Sequence, residues 1–228
     1  MGMLKSSLAF LVLAFAFFLC FIMSAGDGSY DYFQFVQQWP PTNCRVRIKR
    51  PCSNPRPLQY STIHGLWPSN YSNPTKPSNC NGLKFEAKKL SPEMQTKLKK
   101  SWPDVESGND TKFWEGEWNK HGKCSEQTLN QMQYFERSFA MWKSYNITEI
   151  LKNASIVPHP TQTWKYSDIA SPIKAVTKTT PLLRCKRDHP NKPELLHEVV
   201  LCLDYNGLIQ IDCNRTAGCR NQQAISFQ

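Results

Sequence analysis

The sequence predicts an α+β fold, because segments typical of strands lie early and late in the chain and helical patterns fill its middle. Aromatic and β-branched residues are concentrated in Tyr30–Trp39 and Tyr60–Trp67. Late in the chain, two apolar segments flank Asn206-Gly207, a dipeptide that favours a hairpin turn. We find no repeat and no linker in the sequence, and we expect a single domain.

The strand-like segments have expected ends. Pro40-Pro41 is expected to end the first predicted strand, and Pro68 is expected to close the second. Between them, the basic stretch Arg45–Arg50 is expected to be a sheet edge or a loop. Proline, asparagine and serine are abundant from Ser69 to Gly82, which predicts a surface loop.

The middle of the chain predicts two helices, followed by the last two strands. Ser91 is a candidate N-cap with Pro92 at the first helical position, and this helix is expected to reach Lys100. A second helix is expected from near Ser125 to about Tyr145, because apolar residues there follow a three-to-four spacing. They are Met132, Phe135, Phe139 and Trp142. The hairpin strands are expected at Leu195–Asp204 and Leu208–Asp212.

The N-terminal segment predicts secretion. Lys5 precedes an apolar run from Leu8 to Met23, and the small residues Ser24, Ala25 and Gly26 follow. This order is typical of a signal peptide. A membrane anchor is the alternative, but the run is shorter than the ~20 residues that a spanning helix needs. We therefore expect a signal peptide at residues 1–26, a single mature domain at 27–228, and no stable membrane association.

The cysteines also indicate an extracellular protein. One of the nine, Cys20, lies in the expected signal peptide, which leaves an even number for disulfides in the oxidising export route. Sequence arithmetic alone does not choose among the possible pairings. Zinc would be the competing use of cysteine, but no C-x-x-C pair occurs. We therefore expect neither a metal nor another cofactor.

Five N-x-S/T sequons predict glycosylation in a secreted chain. They lie at Asn70, Asn109, Asn146, Asn153 and Asn214.

The charge balance favours a polyanionic partner. The formal net charge is +10, and removal of Lys5 with the signal peptide leaves +9. Such a field attracts RNA or acidic membrane surfaces, although a surface rich in lysine for solubility has the same composition.

Two histidine-containing segments carry the candidate chemistry. In Thr62–Pro68, His64 follows an apolar strand and precedes a glycine and Trp67. In Phe113–Cys124, helical spacing would place Trp114, Glu117, Trp118 and His121 on one face. Two histidines are sufficient for RNA cleavage, because the ribose 2′-hydroxyl is the nucleophile and the reaction needs one base and one acid.

Taken together, these segments resemble the active-site segments of the ribonuclease T2 family, and in particular the plant self-incompatibility ribonucleases (S-RNases) of the rose family. The likeness spans the mature chain, including the opening Phe33–Pro40, both histidine segments and the eight remaining cysteines. The resemblance implies an antiparallel sheet with helices packed beside it. It also implies an endoribonuclease that forms a 2′,3′-cyclic phosphate.

The resemblance assigns roles to individual residues. His121 is implied as the base and His64 as the acid, with Lys120 facing the phosphoryl charge and Glu117 assisting. We expect Glu117, one turn before His121, to raise the pKa of that histidine. Trp67, Gln38 and Phe113 are implied to contact the bases of RNA. The implied disulfides are Cys44–Cys52, Cys80–Cys124, Cys185–Cys219 and Cys202–Cys213.

One position departs from the family pattern. Family members commonly have a phosphate-binding histidine where this chain has Gly116. We expect weaker phosphate anchoring from this change, with the two-histidine core retained. The other histidines, His159, His189 and His197, are expected to be structural or surface residues, and Trp114 and Trp118 are expected in the core.

Three biological hypotheses remain open. The resemblance implies the pistil determinant of self-incompatibility, a cytotoxin to incompatible pollen tubes that pollen F-box proteins would recognise through the loop Ser69–Gly82. The alternatives are a defence or phosphate-scavenging ribonuclease of the same family, and a recognition protein whose catalysis is secondary. A catalytically dead protein on this fold is disfavoured, because His64 and His121 are both present. We expect a monomer.

Overall fold

The computed structural model describes residues 29–47, 51–54, 57–214, 218–220 and 223–228. The expected signal peptide and the end of the basic stretch, residues 48–50, lie outside the described residues. Within these ranges, no helix has the length and apolar character needed to cross a membrane.

The described residues contain seven strands. They are β1 (Tyr32–Gln38), β2 (Thr62–Ser69), β3 (Thr163–Trp164), β4 (Leu182–Lys186), β5 (Glu194–Leu203), β6 (Gln210–Ile211) and β7 (Ile225–Ser226). The same ranges contain six α-helices: α1 (Pro40–Arg45), α2 (Pro92–Ser101), α3 (Asp110–Lys120), α4 (Gln131–Ser144), α5 (Ile147–Asn153) and α6 (Tyr166–Thr177). The α+β class predicted from the sequence is confirmed.

The strands form one mixed sheet. Its main order is β2-β1-β5-β7-β3, and β4 and β6 also pair with β5. The strand pairs are antiparallel, as the resemblance implies, except that β5 and β7 run parallel. The chain reverses direction twice between these strands, at the β5–β6 hairpin and again before β7, so the last strand regains the direction of β5.

Of the two expected strand ends, the one at Pro68 is wrong and the one at Pro40 is confirmed. Pro68 does not close β2 but lies inside it, opposite Phe33. The sheet tolerates Pro68 because β2 is an edge strand, where a missing N–H breaks no ladder. Pro40 begins helix α1 directly after β1, since proline is well suited to the first turn of a helix.

Capping explains where the central helices begin. The Ser91 side chain accepts a hydrogen bond from the Met94 N–H, and α2 starts at Pro92 as predicted. The next predicted helix begins at Gln131 and not near Ser125, because Asn130 forms a capping box with Gln133. Residues 122–125 form a separate 3₁₀ turn.

The two faces of the sheet have different contents. Phe33 and Phe35 of β1 point into the main hydrophobic core, which also contains residues from α2, α3, α4 and α6. Tyr32 and Val36 belong to a smaller cluster. Because side chains alternate along a strand, Gln34 shares the face of this smaller cluster.

All four disulfides implied by the resemblance are present. The bridges are Cys44–Cys52, Cys80–Cys124, Cys185–Cys219 and Cys202–Cys213.

Candidate active site

Strand β2 positions His64. The His64 carbonyl oxygen accepts a hydrogen bond from the Trp102 indole N–H at 3.0 Å. The next residue must be glycine, because a Cβ on Gly65 would overlap the Trp67 indole and the Glu117 carboxylate. The absence of that Cβ allows the end of α3 to approach β2 closely.

Helix α3 positions His121 at its C-terminal cap, where the backbone N–H of His121 donates to the Glu117 carbonyl oxygen at 2.9 Å. The imidazole is buried, and its Nδ1 has no hydrogen-bond partner among the described residues. The Trp114 and Trp118 side chains of the same helix lie in the core, as predicted.

Trp67 brings the two histidines to one place. Its ring centroid lies 5.1 Å from that of His64 and 5.2 Å from that of His121. The Trp67 indole N–H donates to Glu117 Oε2 at 2.8 Å, which joins β2 to α3. Four residues chosen from two distant segments of the sequence therefore form one cluster.

The sequence reasoning missed two residues of this cluster. Glu198 of β5 contacts His64 Nδ1 through Oε1 at 2.5 Å, and its Oε2 accepts from Arg184 Nη1 at 3.2 Å. Glu198 and Arg184 are these two residues, and the Glu198 side chain between His64 and Arg184 is only 6% exposed. A signal was present in the sequence, since His197-Glu198 interrupts the otherwise apolar run from Leu195 to Leu203 of β5.

The surroundings of His64 favour its charged form. Burial opposes the charge, but the hydrogen bond and the attraction of Glu198, assisted by Glu117, raise the pKa of His64 above its ordinary value of 6.5. At neutral pH, His64 is therefore suited to hold a proton.

The surroundings of His121 have the opposite effect. Burial, the Lys120 charge and the His64 charge lower the pKa of His121 from 6.5 to about 3. The expectation that Glu117 raises this pKa is wrong. The Glu117 carboxylate turns towards Trp67 and His64, and burial of the His121 imidazole outweighs any benefit from the helix terminus.

Lys120 is exposed at the end of α3, and its backbone fixes the neighbouring loop. The Lys120 carbonyl oxygen accepts from the Asn79 N–H at 2.7 Å, and the Cys80–Cys124 bridge follows directly. The surface loop after Trp67 is thereby attached to the helix end that carries Lys120 and His121.

A cavity of about 350 Å³ opens beside His64. Gln38 and Phe113 line it, together with Asp104, Glu106 and Lys112. The buried Gln38 Nε2 has no hydrogen-bond partner among the described residues. The structure therefore brings Gln38 and Phe113 to the same side of the histidine cluster. In the described part of the chain, no group of His, Cys, Asp and Glu residues is arranged to hold a metal ion.

Comparison with known proteins identifies the family of this fold. The model of the Ribonuclease T2 family matches residues 30–213. The chain belongs to this family. It is 36% identical over 219 residues to "Ribonuclease 1" of Arabidopsis thaliana, covering 93% of both chains. It is accordingly an endoribonuclease, with RNA as its substrate.

Solved structures of two ribonucleases have the same fold. Ribonuclease MC1 from bitter gourd seeds is 38% identical, with a TM-score of 0.76 over 83% of this chain and 98% of that one. The Japanese pear S3-RNase is 32% identical, with a TM-score of 0.74 over 86% and 99% of the two chains. The chain thus resembles both a seed ribonuclease and an S-RNase.

The remaining predicted site residues of this T2 ribonuclease lie at varied depths. Gly116 is exposed on α3, and a Cβ there would meet no atom within 4 Å. Asn109, Asn153 and Asn214 are exposed, whereas Asn70 and Asn146 are half-buried.

The other histidines of the ribonuclease lie away from the cavity lining. His197 is buried, and its Nε2 contacts Asn43 Oδ1 at 3.2 Å. His159 and His189 are exposed.

Proposed function

We propose that this T2 ribonuclease is a secreted enzyme that cleaves single-stranded RNA without a metal ion, with His121 as the base and His64 as the acid. One observation supports this proposal: both imidazoles contact the same indole, and the fold shifts their pKa values in opposite directions. Pairs of titratable groups separated in this way are suited to acid–base catalysis.

In the first step, neutral His121 takes the proton of the ribose 2′-hydroxyl while the 2′-oxygen bonds to phosphorus. The bond between phosphorus and the 5′-oxygen breaks, and that oxygen takes the proton of His64. A 2′,3′-cyclic phosphate and a free 5′-hydroxyl result. Water then opens the ring with the histidine roles reversed, which leaves a 3′-phosphate.

Lys120 and Glu117 would serve the phosphoryl transfer. Negative charge grows on the phosphoryl oxygens in the transition state, and the exposed Lys120, next to His121 in the last turn of α3, would supply a positive charge to meet it. Glu117 holds the Trp67 indole N–H and adds negative charge near His64. We therefore assign Glu117 to orienting the cluster and not to binding phosphate.

Base binding would use the two sides of the histidine cluster. The half-buried Trp67 ring offers a stacking surface, and such stacking contributes about 1–3 kcal/mol for each base and tolerates different bases. Gln38 and Phe113 would bind the second base in the cavity beside His64. Single-stranded RNA fits this arrangement, because its bases are free to separate and stack on side chains.

The chemistry is tested by RNA digestion in EDTA, with identification of the product ends. We expect 2′,3′-cyclic and 3′-phosphate ends, and no cleavage of DNA, which lacks the 2′-hydroxyl. The His64→Ala variant should be inactive, while His159→Ala, a change at an exposed histidine, should retain activity. Equal cleavage of DNA, or an active His64→Ala protein, would contradict the mechanism.

The apolar N-terminal segment supports a proposal for how the protein matures. We propose that residues 1–26 are a removed signal peptide and that residues 27–228 form a single ribonuclease domain, which is secreted as a monomer without stable membrane association. The four disulfides support an oxidising route. N-terminal sequencing of the exported protein and its mass before and after deglycosylation test the cleavage site and the five sequons.

The biological role proposed first is that of the pistil determinant in self-incompatibility. The likeness to the pear S3-RNase supports it, as does the exposed loop after Trp67, which pollen F-box proteins would read. The second candidate, a defence or phosphate-scavenging ribonuclease, is supported by the 36% identity to Ribonuclease 1.

Silencing the gene in pistils distinguishes the two roles. Acceptance of previously rejected pollen would support the first candidate. Unchanged rejection would support the second.

A further inference from the structure

Both carboxylate oxygens of Glu198 have a partner, and one of these partners is His64. Its Oε1 contacts His64 Nδ1 at 2.5 Å, and its Oε2 accepts from Arg184 Nη1 at 3.2 Å. Along β5, Val199 and Leu201 lie in the main core, so alternation turns Glu198 to the opposite face, where β1 and β2 carry Gln34 and Trp67. A buried carboxylate is stabilised only by such partners.

The contact selects one form of the His64 ring. Burial disfavours the Glu198 charge, but the His64 hydrogen bond and nearby positive charges lower the pKa of Glu198 to about 2, so it is a carboxylate at neutral pH. A carboxylate only accepts hydrogen bonds, and Nδ1 must therefore donate. The proton that His64 exchanges is consequently the one on Nε2.

Arg184 fixes the carboxylate in turn. Its guanidinium donates to Glu198 and to Gln34 Oε1, and it lies 5.4 Å from the Trp67 ring centroid. Gln34 Nε2 donates to the Pro74 carbonyl oxygen at 3.1 Å. The hydrogen-bonded series therefore runs from the catalytic ring to the loop after Trp67.

We propose that Glu198 is a positioning residue that holds His64 in the proton-donating form, with Nδ1 bound and Nε2 available to the departing 5′-oxygen, and that Arg184 holds Glu198 in this orientation. The inference rests on the proposed role of His64 as the acid. It explains how a half-buried imidazole stays protonated and correctly turned when RNA arrives.

Charged groups face His64 from every neighbouring element. Glu198 lies on β5 with His197 beside it, and Arg184 and Lys186 lie on β4. Glu117, Lys120 and the cap residue His121 belong to the end of α3, and Asp104, Glu106 and Lys112 line the cavity beside the ring. Glu117 acts in the same direction as Glu198, while Lys186 opposes it. Of the two carboxylates, Glu198 also makes the hydrogen bond to the ring, so its removal should have the larger effect.

The test compares Glu198→Gln with Glu194→Gln. Glu194 is the matched control, because it is a buried glutamate of the same strand that pairs with Arg187 and Arg220 and not with His64. The first readout is the NMR titration of the His64 ring without RNA. In Glu198→Gln we expect the pKa of His64 to fall by about one unit or more, as for loss of an adjacent opposite charge. In the control it should not move.

The second readout is the pH dependence of kcat and KM for a dinucleotide. Glu198→Gln should lower kcat about 10- to 100-fold, by analogy with residues that orient metal ligands from behind. Its alkaline limb should move to lower pH and KM should change little. Glu198→Asp, which keeps the charge at a shorter reach, should keep the limb near its original pH while kcat still falls.

The outcomes separate the inference from the proposed function. A His64 titration that is the same in Glu198→Gln and Glu194→Gln would overturn the positioning role. If Glu198→Gln does not fold, Glu198→Asp decides in its place, and a kcat equal to that of the wild type would overturn the role. Because the titration needs no RNA, a shifted His64 in a protein that does not cut RNA would contradict the proposed function alone.

Discussion

At the scale of single residues, the fold makes two identical imidazoles into different reagents. Burial next to Lys120 lowers the pKa of His121 to about 3, while Glu198 raises that of His64 above 6.5 despite burial. The proposed base, His121, works when neutral, above its pKa, and the proposed acid, His64, works when protonated, below its pKa. Activity should therefore rise near pH 3, stay level, and fall only above pH 6.5.

Glu117→Gln tests which histidine the Glu117 charge acts on. The Glu117 charge raises the pKa of His64. The pKa of His121 is set by burial and by the charges of Lys120 and His64. Neutralising the Glu117 charge should move the alkaline limb of kcat/KM to lower pH, by less than Glu198→Gln does, and leave the acid limb in place. The measurement is kcat/KM for a dinucleotide across pH in both proteins. An acid limb that moves would show that Glu117 does tune His121.

At the scale of secondary-structure elements, the short segment from α3 to the following 3₁₀ turn contains Glu117, Lys120 and His121. Its two glycines have opposite surroundings. A Cβ at Gly116 would meet open space, while one at Gly122 would overlap the Trp118 ring. Gly122 therefore allows the close packing that seats His121, whereas Gly116 only weakens the helix.

Gly116→Ala should stabilise the ribonuclease. Alanine in a helix interior is favoured over glycine by about 0.5–1 kcal/mol, and the exposed position imposes no steric cost. Urea unfolding of the two proteins measures the difference. Gly122→Ala serves as the contrast and should lower the free energy of unfolding. A loss of stability in Gly116→Ala would show that the glycine has a role that the open surroundings do not reveal.

Removal of the Cys80–Cys124 bridge should affect both stability and catalysis. It closes a loop with a sequence separation of 44, for which chain entropy gives about 4 kcal/mol. Because Cys124 follows His121 closely, replacing both cysteines with serine should also lower kcat. The control is the Cys44–Cys52 pair, with a separation of 8, for which about 2.6 kcal/mol is expected. Urea unfolding and dinucleotide kinetics measure both effects, and equal kcat losses in the two variants would contradict the tethering role.

At the scale of the whole molecule, the fold has one main core and the chain has a strong net positive charge. The main core contains Tyr30 and Phe227, so residues near both ends of the described chain belong to the same core. The formal charge of +9 that remains without Lys5 attracts the phosphate backbone from a distance. Encounter should therefore depend on salt more strongly than the chemical step does.

Salt should weaken cleavage of long RNA more than cleavage of a dinucleotide. Each phosphate neutralised in a single strand contributes a slope of about −0.7 in log–log salt dependence, and a dinucleotide offers only one. The measurement is kcat/KM for both substrates between about 50 and about 200 mM salt. Identical slopes for the two substrates would show that phosphates beyond the cleaved one do not contribute to binding.

Several elements were predictable because their signals are local. Ser91 and Pro92 placed the start of α2, and Asn206-Gly207 placed the turn between β5 and β6, where Gly207 has a φ of 65°. The two histidine segments were recognisable from neighbouring residues alone. The parallel β7 was missed, because strand direction depends on how the chain returns over many residues.

The sequence by itself determined the α+β class, the family, the disulfide partners through that family, and the two histidines. Only the tertiary structure decided the neighbours of those histidines. Glu198 lies 134 residues from His64 along the chain and 2.5 Å from it in space. The pKa of a side chain depends on burial and on charges within a few ångströms. No local pattern encodes those distances, so the opposite proton affinities of His64 and His121 emerge only when β2, α3 and β5 pack together.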